Sequence, residues 1–168
     1  NRLIADVWAV RNDFFRDQPD IVANLVRGIF EGMDMVRKDV PAAAKLMSAA
    51  YGLPVEDCTA MIGKDGGITE GDAHLTNYRE NSNFFLDPGN PANFEVVWSR
   101  ASTIYKSLGA IANPVSAAKV KAAQVLAKMS EEFKNVTDLS QPTFKPASIF
   151  KHAEAESGEL LTKSVIVT

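Results

Sequence analysis

A carboxylate and an indole share one apolar run near the start of the chain, Leu3-Ile4-Ala5-Asp6-Val7-Trp8-Ala9-Val10. A carboxylate in such a run is costly unless it is paired or sits at a sheet edge or a cleft. Asp6 therefore has two readings: a cleft contact to a ligand, or a hydrogen bond to backbone at a strand end. Trp8 has two as well, stacking on a ligand or packing in a core. Farther on, Thr76, Asn77 and Tyr78 fall in an irregular polar segment, where binding residues tend to gather on a rigid scaffold. Ordinary loop polarity explains the same three residues. The chemistry on offer is recognition of a small molecule rather than bond making.

Catalytic patterns are missing from the sequence. No G-x-S-x-G, H-E-x-x-H or P-loop spacing occurs. Lys64-Asp65-Gly66-Gly67 has glycines but no G-K-[ST] step and no flanking strand-to-helix order, so it is not expected to cradle a phosphate. Cys58 is the single cysteine. It excludes an internal disulfide and a multi-cysteine zinc site, and its expected role is that of a small buried apolar group. A nucleophilic Cys58 would need a histidine base such as His74 beside it in space. His74 and His152 have no acid-rich spacing around them, so no metal site and no cofactor are expected. Glu131-Glu132 reads as a solvated helix face.

The whole chain bounds these readings. Its 168 residues suit one domain with room for a core. Hydrophobic content of 46% and charged content of 23% are ordinary for a globular protein. A net charge of −3 and a pI near 5.4 argue against nucleic acid as a partner, because that needs clustered Lys and Arg. The longest apolar runs fall short of the ~20 residues a membrane-spanning helix needs. No signal-peptide pattern is present; the chain begins at Asn1 rather than Met, as expected if a leader has been removed.

The elements that must position Asp6 to Tyr78 follow from periodicity and proline. Leu3 to Val10 reads as a buried strand, and a strand needs neighbours to satisfy its backbone. No other strong strand pattern follows, so its partners are expected in sequence outside this chain. An unpaired edge here would also invite a homodimer through the exposed strand. Gln18-Pro19, Val40-Pro41, Leu53-Pro54, Asn90-Pro91 and Asn113-Pro114 each precede a helical pattern. Helices are predicted over Pro19–Asp39, Pro41–Tyr51, Pro54–Ile62, Pro91–Leu108 and within Ser116–Phe133, with a turn or two over Glu80–Leu86. Val22, Leu25, Val26, Ile29, Phe30, Met33 and Val36 stripe the first of these. Trp98 and Tyr105 lie on the stripe of the fourth and are expected in the core. Residues 63–83 break the pattern with four glycines and read as loop, with a short extended piece near Ala73 to Thr76. Residues 134–146 shift to linker composition, and Ser164 to Thr168 is a second strand candidate.

The order of these features resembles a known family. Ala5-Asp6-Val7-Trp8-Ala9-Val10-Arg11, then Asp13-Phe14-Phe15, Gln18-Pro19-Asp20-Ile21-Val22, Val40-Pro41-Ala42-Ala43-Ala44-Lys45-Leu46 and Glu80-Asn81-Ser82-Asn83-Phe84-Phe85 resemble the second half of periplasmic substrate-binding proteins of ABC importers. The nitrate, sulfonate and taurine type is the group they resemble most. The likeness covers Leu3 to Phe133. It implies an α/β, predominantly helical fold, part of a two-lobed architecture with few strands in this chain. Residues 1–133 would form the helical part of one lobe, opening with a crossover strand, and residues 134–168 a linker or tail. It also implies a non-enzymatic protein in the periplasm or cell envelope. Its partners would be a small anionic solute and a membrane permease, with Asp6, Trp8, Thr76, Asn77 and Tyr78 as candidate ligand contacts. Glu159 to Thr168 resembles the run into the first strand of an OmpA-like peptidoglycan-binding domain. A helical interaction or scaffold module, with no small-molecule ligand, is the competing reading.

Overall fold

A computed structural model describes residues 6–68, 71–120, 123–137 and 139. These residues are predominantly helical, and no strand occurs among them. The helices are α1 (Asn12–Asp17), α2 (Pro19–Lys38), α3 (Val40–Tyr51), α4 (Val55–Ile62), α5 (Tyr78–Phe85), α6 (Phe94–Ser107), α7 (Ala117–Val120) and α8 (Ala123–Lys128).

The long helix α2 organises the rest. Pro19 opens it, Asp20 sits in its first turn, and Arg37 and Lys38 sit in its last, the charge order the helix dipole favours. Its apolar stripe contributes Val22 and Phe30 to a core completed by Tyr78 of α5 and by Val125, Leu126 and Met129 from α8 and the turn after it. Phe15, Val26, Phe85, Leu86 and Phe133 pack around them. Phe30 meets Tyr78 edge-on at 5.8 Å, and Phe133 stacks on the Tyr78 ring at 5.1 Å. Helices α3 and α4 form a second unit around Ala44 and Cys58, both fully buried. Cys58 thus behaves as the small apolar group its sequence context suggests. Asp39 caps α3 by accepting the Ala42 N–H at 3.0 Å, a bond of about 1 kcal/mol. Gly52, at φ +68°, supplies the left-handed stop that ends α3.

Three expectations change. The described part of the expected strand, Asp6 to Val10, forms no ladder; Val7 and Trp8 are 75% and 74% exposed. Its backbone finds no strand to pair with among the described residues, and strand structure needs a neighbour. A homodimer through that edge therefore has no formed strand to extend. Trp98 and Tyr105 are not core: Tyr105 is exposed, and Trp98 is partly exposed with its indole N–H donating to the Val115 carbonyl at 2.7 Å. Helix α6 has no buried residue; among the described helices, α5 and α7 are its main neighbours. Within the last predicted helical region, 117–120 and 123–128 are helical as α7 and α8, residues 121 and 122 lie outside the described residues, and turns take over from Met129, so Phe133 is not on a helix. The short helix α1 was not anticipated. The second strand candidate, Ser164 to Thr168, and nearly all of the tail lie outside the described residues.

Candidate functional site

Thr76, Asn77 and Tyr78 come together at the start of α5. Asn77 is its N-cap: the Oδ1 atom accepts the Glu80 N–H at 3.0 Å, and Glu80 Oε2 accepts the Asn77 N–H at 2.9 Å. This reciprocal pair is a capping box. The Asn77 amide also donates to the Thr137 carbonyl at 2.8 Å, tying the helix start to the chain after α8. The Tyr78 hydroxyl donates to the Leu126 carbonyl at 2.8 Å. Thr76 is exposed, and its hydroxyl oxygen accepts from the Asn81 amide at 3.0 Å. Asn77 and Tyr78 are buried with their polar atoms engaged in the fold, so Thr76 is the member of the trio open to solvent. Asp6 and Trp8 stand apart from this junction in sequence, both exposed on the segment before α1.

The junction carries a nearly buried hydrogen-bonded pair that sequence reading missed. His74 Nε2 lies 2.5 Å from Glu80 Oε1, and the two side chains are only 10% and 8% exposed. On the other side of the ring, Nδ1 lies 2.8 Å from the Gly67 carbonyl oxygen. His74 is thereby held between two acceptors and engaged at both nitrogens. Gly67 adopts φ +84°, and a Cβ there would run into the Ala73 carbonyl, so the close return of the loop requires glycine. The Asn77-x-x-Glu80 spacing was the available sequence signal for this cap.

Arg37, at the end of α2, lies under the same loop. A Cβ on Gly66 would meet the Arg37 Cα and Cγ at 2.8 Å. The Arg37 Nε and Nη2 atoms are buried and have no hydrogen-bond partner among the described residues. Burial pulls the guanidinium below its ordinary pKa, while the Glu80 and Asp34 carboxylates oppose that shift.

Two adjoining open clefts lie along α2. One of about 410 Å³ is lined by Asp20, Asn24, Arg27 and Lys128; the other, of about 400 Å³, by Asn12, Phe15, Arg16 and Gln124, with Ala23 and Lys128 shared. Their size suits a small molecule. Charges of both signs line them, and the cations are largely committed. Arg27 pairs with Glu132 at 2.7 Å and with the Asn24 amide oxygen at 2.6 Å, and Arg16 pairs with Asp17. The Glu132 carboxylate raises the Arg27 pKa. Glu132 is thus an ion-pair partner rather than a purely solvated charge.

Among the described residues, no cluster of three or more His, Cys, Asp or Glu could hold a metal ion. No helix among them is long and apolar enough to cross a membrane. Compared with known protein families, with curated proteins and with solved structures, the chain matches none.

Proposed function

We propose that the chain is part of the solute-binding component of an ABC importer, which holds a small anionic molecule between two lobes and presents it to a membrane permease in the cell envelope. In this reading Leu3 to Val10 is a crossover strand, and α2 to α5 clothe one lobe. The tail over residues 134–168 leads toward a further, OmpA-like domain. Closure of the lobes over the solute follows from ligand contacts made only in the closed state. Asp6, Trp8 and Thr76 are the side chains offered to the solute. Asn77 and Tyr78 belong to the same site as supports of the junction that presents Thr76.

The observation that carries this reading is the apolar surface left uncovered. Val7 and Trp8 near the start, Leu46 and Tyr51 on α3, and Ile104, Tyr105 and the adjacent Leu108 of α6 are all at least half exposed. Ile104, Tyr105 and Leu108, three and four residues apart, share one helical face, and an exposed apolar face marks a surface that other polypeptide covers. A β-prone opening segment whose described residues, Asp6 to Val10, pair with no strand among the described residues fits the same account. The uncovered faces also suit the scaffold reading, in which a partner protein lies against α6 and no solute is bound.

A thermal-shift screen of the complete gene product with nitrate, sulfonates, phosphate and small amines separates the two. The import reading predicts a saturable rise in Tm with one anionic class, equivalent to about 2.7 kcal/mol at a hundredfold excess over Kd. A well-folded product that shifts with none of them contradicts it.

A further inference from the structure

We propose that the adjoining clefts along α2 bind a small zwitterion, an amino acid with an aliphatic side chain. The site belongs to this chain alone and does not depend on the import reading.

The charges lining the clefts carry the argument. Arg27 is bound to Glu132 and to the Asn24 amide oxygen, and Arg16 is bound to Asp17, so these cations are already neutralised within the fold. Asp20 and Lys128 remain. Neither side chain makes a hydrogen bond or an ion pair among the described residues. They come from different elements, the first turn of α2 and the last residue of α8. Both line the same cleft of about 410 Å³ without closing on each other. A net anion is attracted by Lys128 and repelled by Asp20, and a net cation meets the reverse. A molecule with one charge of each sign satisfies both. Its carboxylate then faces Lys128 and its ammonium faces Asp20.

The surface between the two charges is apolar. Met129 lies in the first cleft and Val125 in the second, at 1% and 4% exposure, and Ala23 lines both. Partly buried Phe15 walls the second cleft. Lys128 stands where the clefts meet, so a carboxylate held there leaves an aliphatic side chain free to lie across Ala23 and Val125 toward Phe15. That chain removes apolar surface from water, and the two charge contacts set its direction. The clefts are open and the two charges exposed, so water and salt screen the contacts and affinity is millimolar.

The test uses the whole chain with methyl-labelled methionine, and L-leucine as the probe. The Met129 methyl NMR cross-peak should move saturably through millimolar leucine, while that of Met61 on α4 stays in place. Two analogues separate the charges: isocaproate lacks the ammonium, and isoamylamine lacks the carboxylate. Each should bind about fivefold more weakly than leucine, the upper end for one exposed charge contact. Lys128→Met and Asp20→Asn each remove one charge at an exposed position, where substitution costs the fold little. Each should weaken leucine by the same factor. A Met129 cross-peak that leucine does not move overturns the proposal. So does equal affinity for leucine and either analogue, or an unchanged leucine affinity in either variant, since the cleft would then not read both charges.

Discussion

Replacing Tyr78 with alanine should destabilise the chain by about 3–5 kcal/mol, the range for losing a buried aromatic side chain. The ring is 5% exposed, stacked on Phe133 and edge-on to Phe30, and it joins α2, α5 and the turn after α8 in one cluster. Few residues share that core, so little else can compensate. Domains of this size are typically stable by only ~5–15 kcal/mol. Tyr78→Phe provides the control. It keeps the ring and removes the hydroxyl that donates to the Leu126 carbonyl, at an expected cost of about 1–2 kcal/mol. Urea unfolding of both variants measures the two effects. A loss below about 1 kcal/mol for Tyr78→Ala would mean that the cluster does not hold these helices together. The pair also separates two roles for Tyr78. A residue that only supports the fold lowers stability, whereas a solute contact in Tyr78→Phe would weaken affinity beyond what the stability change explains.

Glu80→Ala is the second large effect, expected at about 2–4 kcal/mol, an unsatisfied buried nitrogen plus a weakened cap. Its carboxylate faces His74 with one oxygen and the Asn77 N–H with the other. Removing it leaves a nearly buried imidazole nitrogen unpaired and undoes half of the capping box. Glu80→Gln keeps one carbonyl acceptor but presents an NH2 where the second acceptor stood. Its cost should be smaller, roughly 1–2 kcal/mol. Equal losses for alanine and glutamine would show that charge, not acceptor geometry, holds the junction. A loss under about 1 kcal/mol for alanine would show that the pair contributes no more than a surface ion pair. Amide hydrogen exchange adds a local readout. With Glu80 gone, the amides at positions 77 and 80 should exchange faster than in the parent, while those in the middle of α2, which the substitution does not touch, keep their rates.

The helices were legible wherever local chemistry decides them. Proline at the first turn and a three-to-four residue stripe located α2 and α3 to within a residue or two, and Gly52 marked the end of α3. Helix α1 was missed because it has six residues, no side-chain cap and no buried residue. The opening apolar run shows the opposite limit. Its Val and Trp content favours a strand, but a strand is completed by another strand, and none is described here. Trp98 and Tyr105 teach a related point. Periodicity shows that α6 has an apolar face; it does not show what covers that face. Of the candidate site, Thr76, Asn77 and Tyr78 read as loop with helical turns only from Glu80, whereas Asn77 caps α5 and Tyr78 opens it. The burial of Asn77 and Tyr78, the His74–Glu80 pair and the unpaired edge of Arg37 were not legible. The pair and the Arg37 edge arise where the described loop residues 63–68 and 71–76 return to α2 and α5, and the burial of Asn77 and Tyr78 where α8 and the turns after it pack on them; such contacts across chain distance leave no local trace in the sequence.

Hydrogen exchange on the complete gene product tests the central claim most directly. The account holds that other polypeptide covers the apolar faces left open in this chain. It predicts slow exchange for the amides of Val7 to Val10 in the complete product, fast exchange for them in this chain alone, and loss of solvent access along Ile104 to Leu108. Equally fast exchange for Val7 to Val10 in both, in a complete product that is well folded, would contradict it.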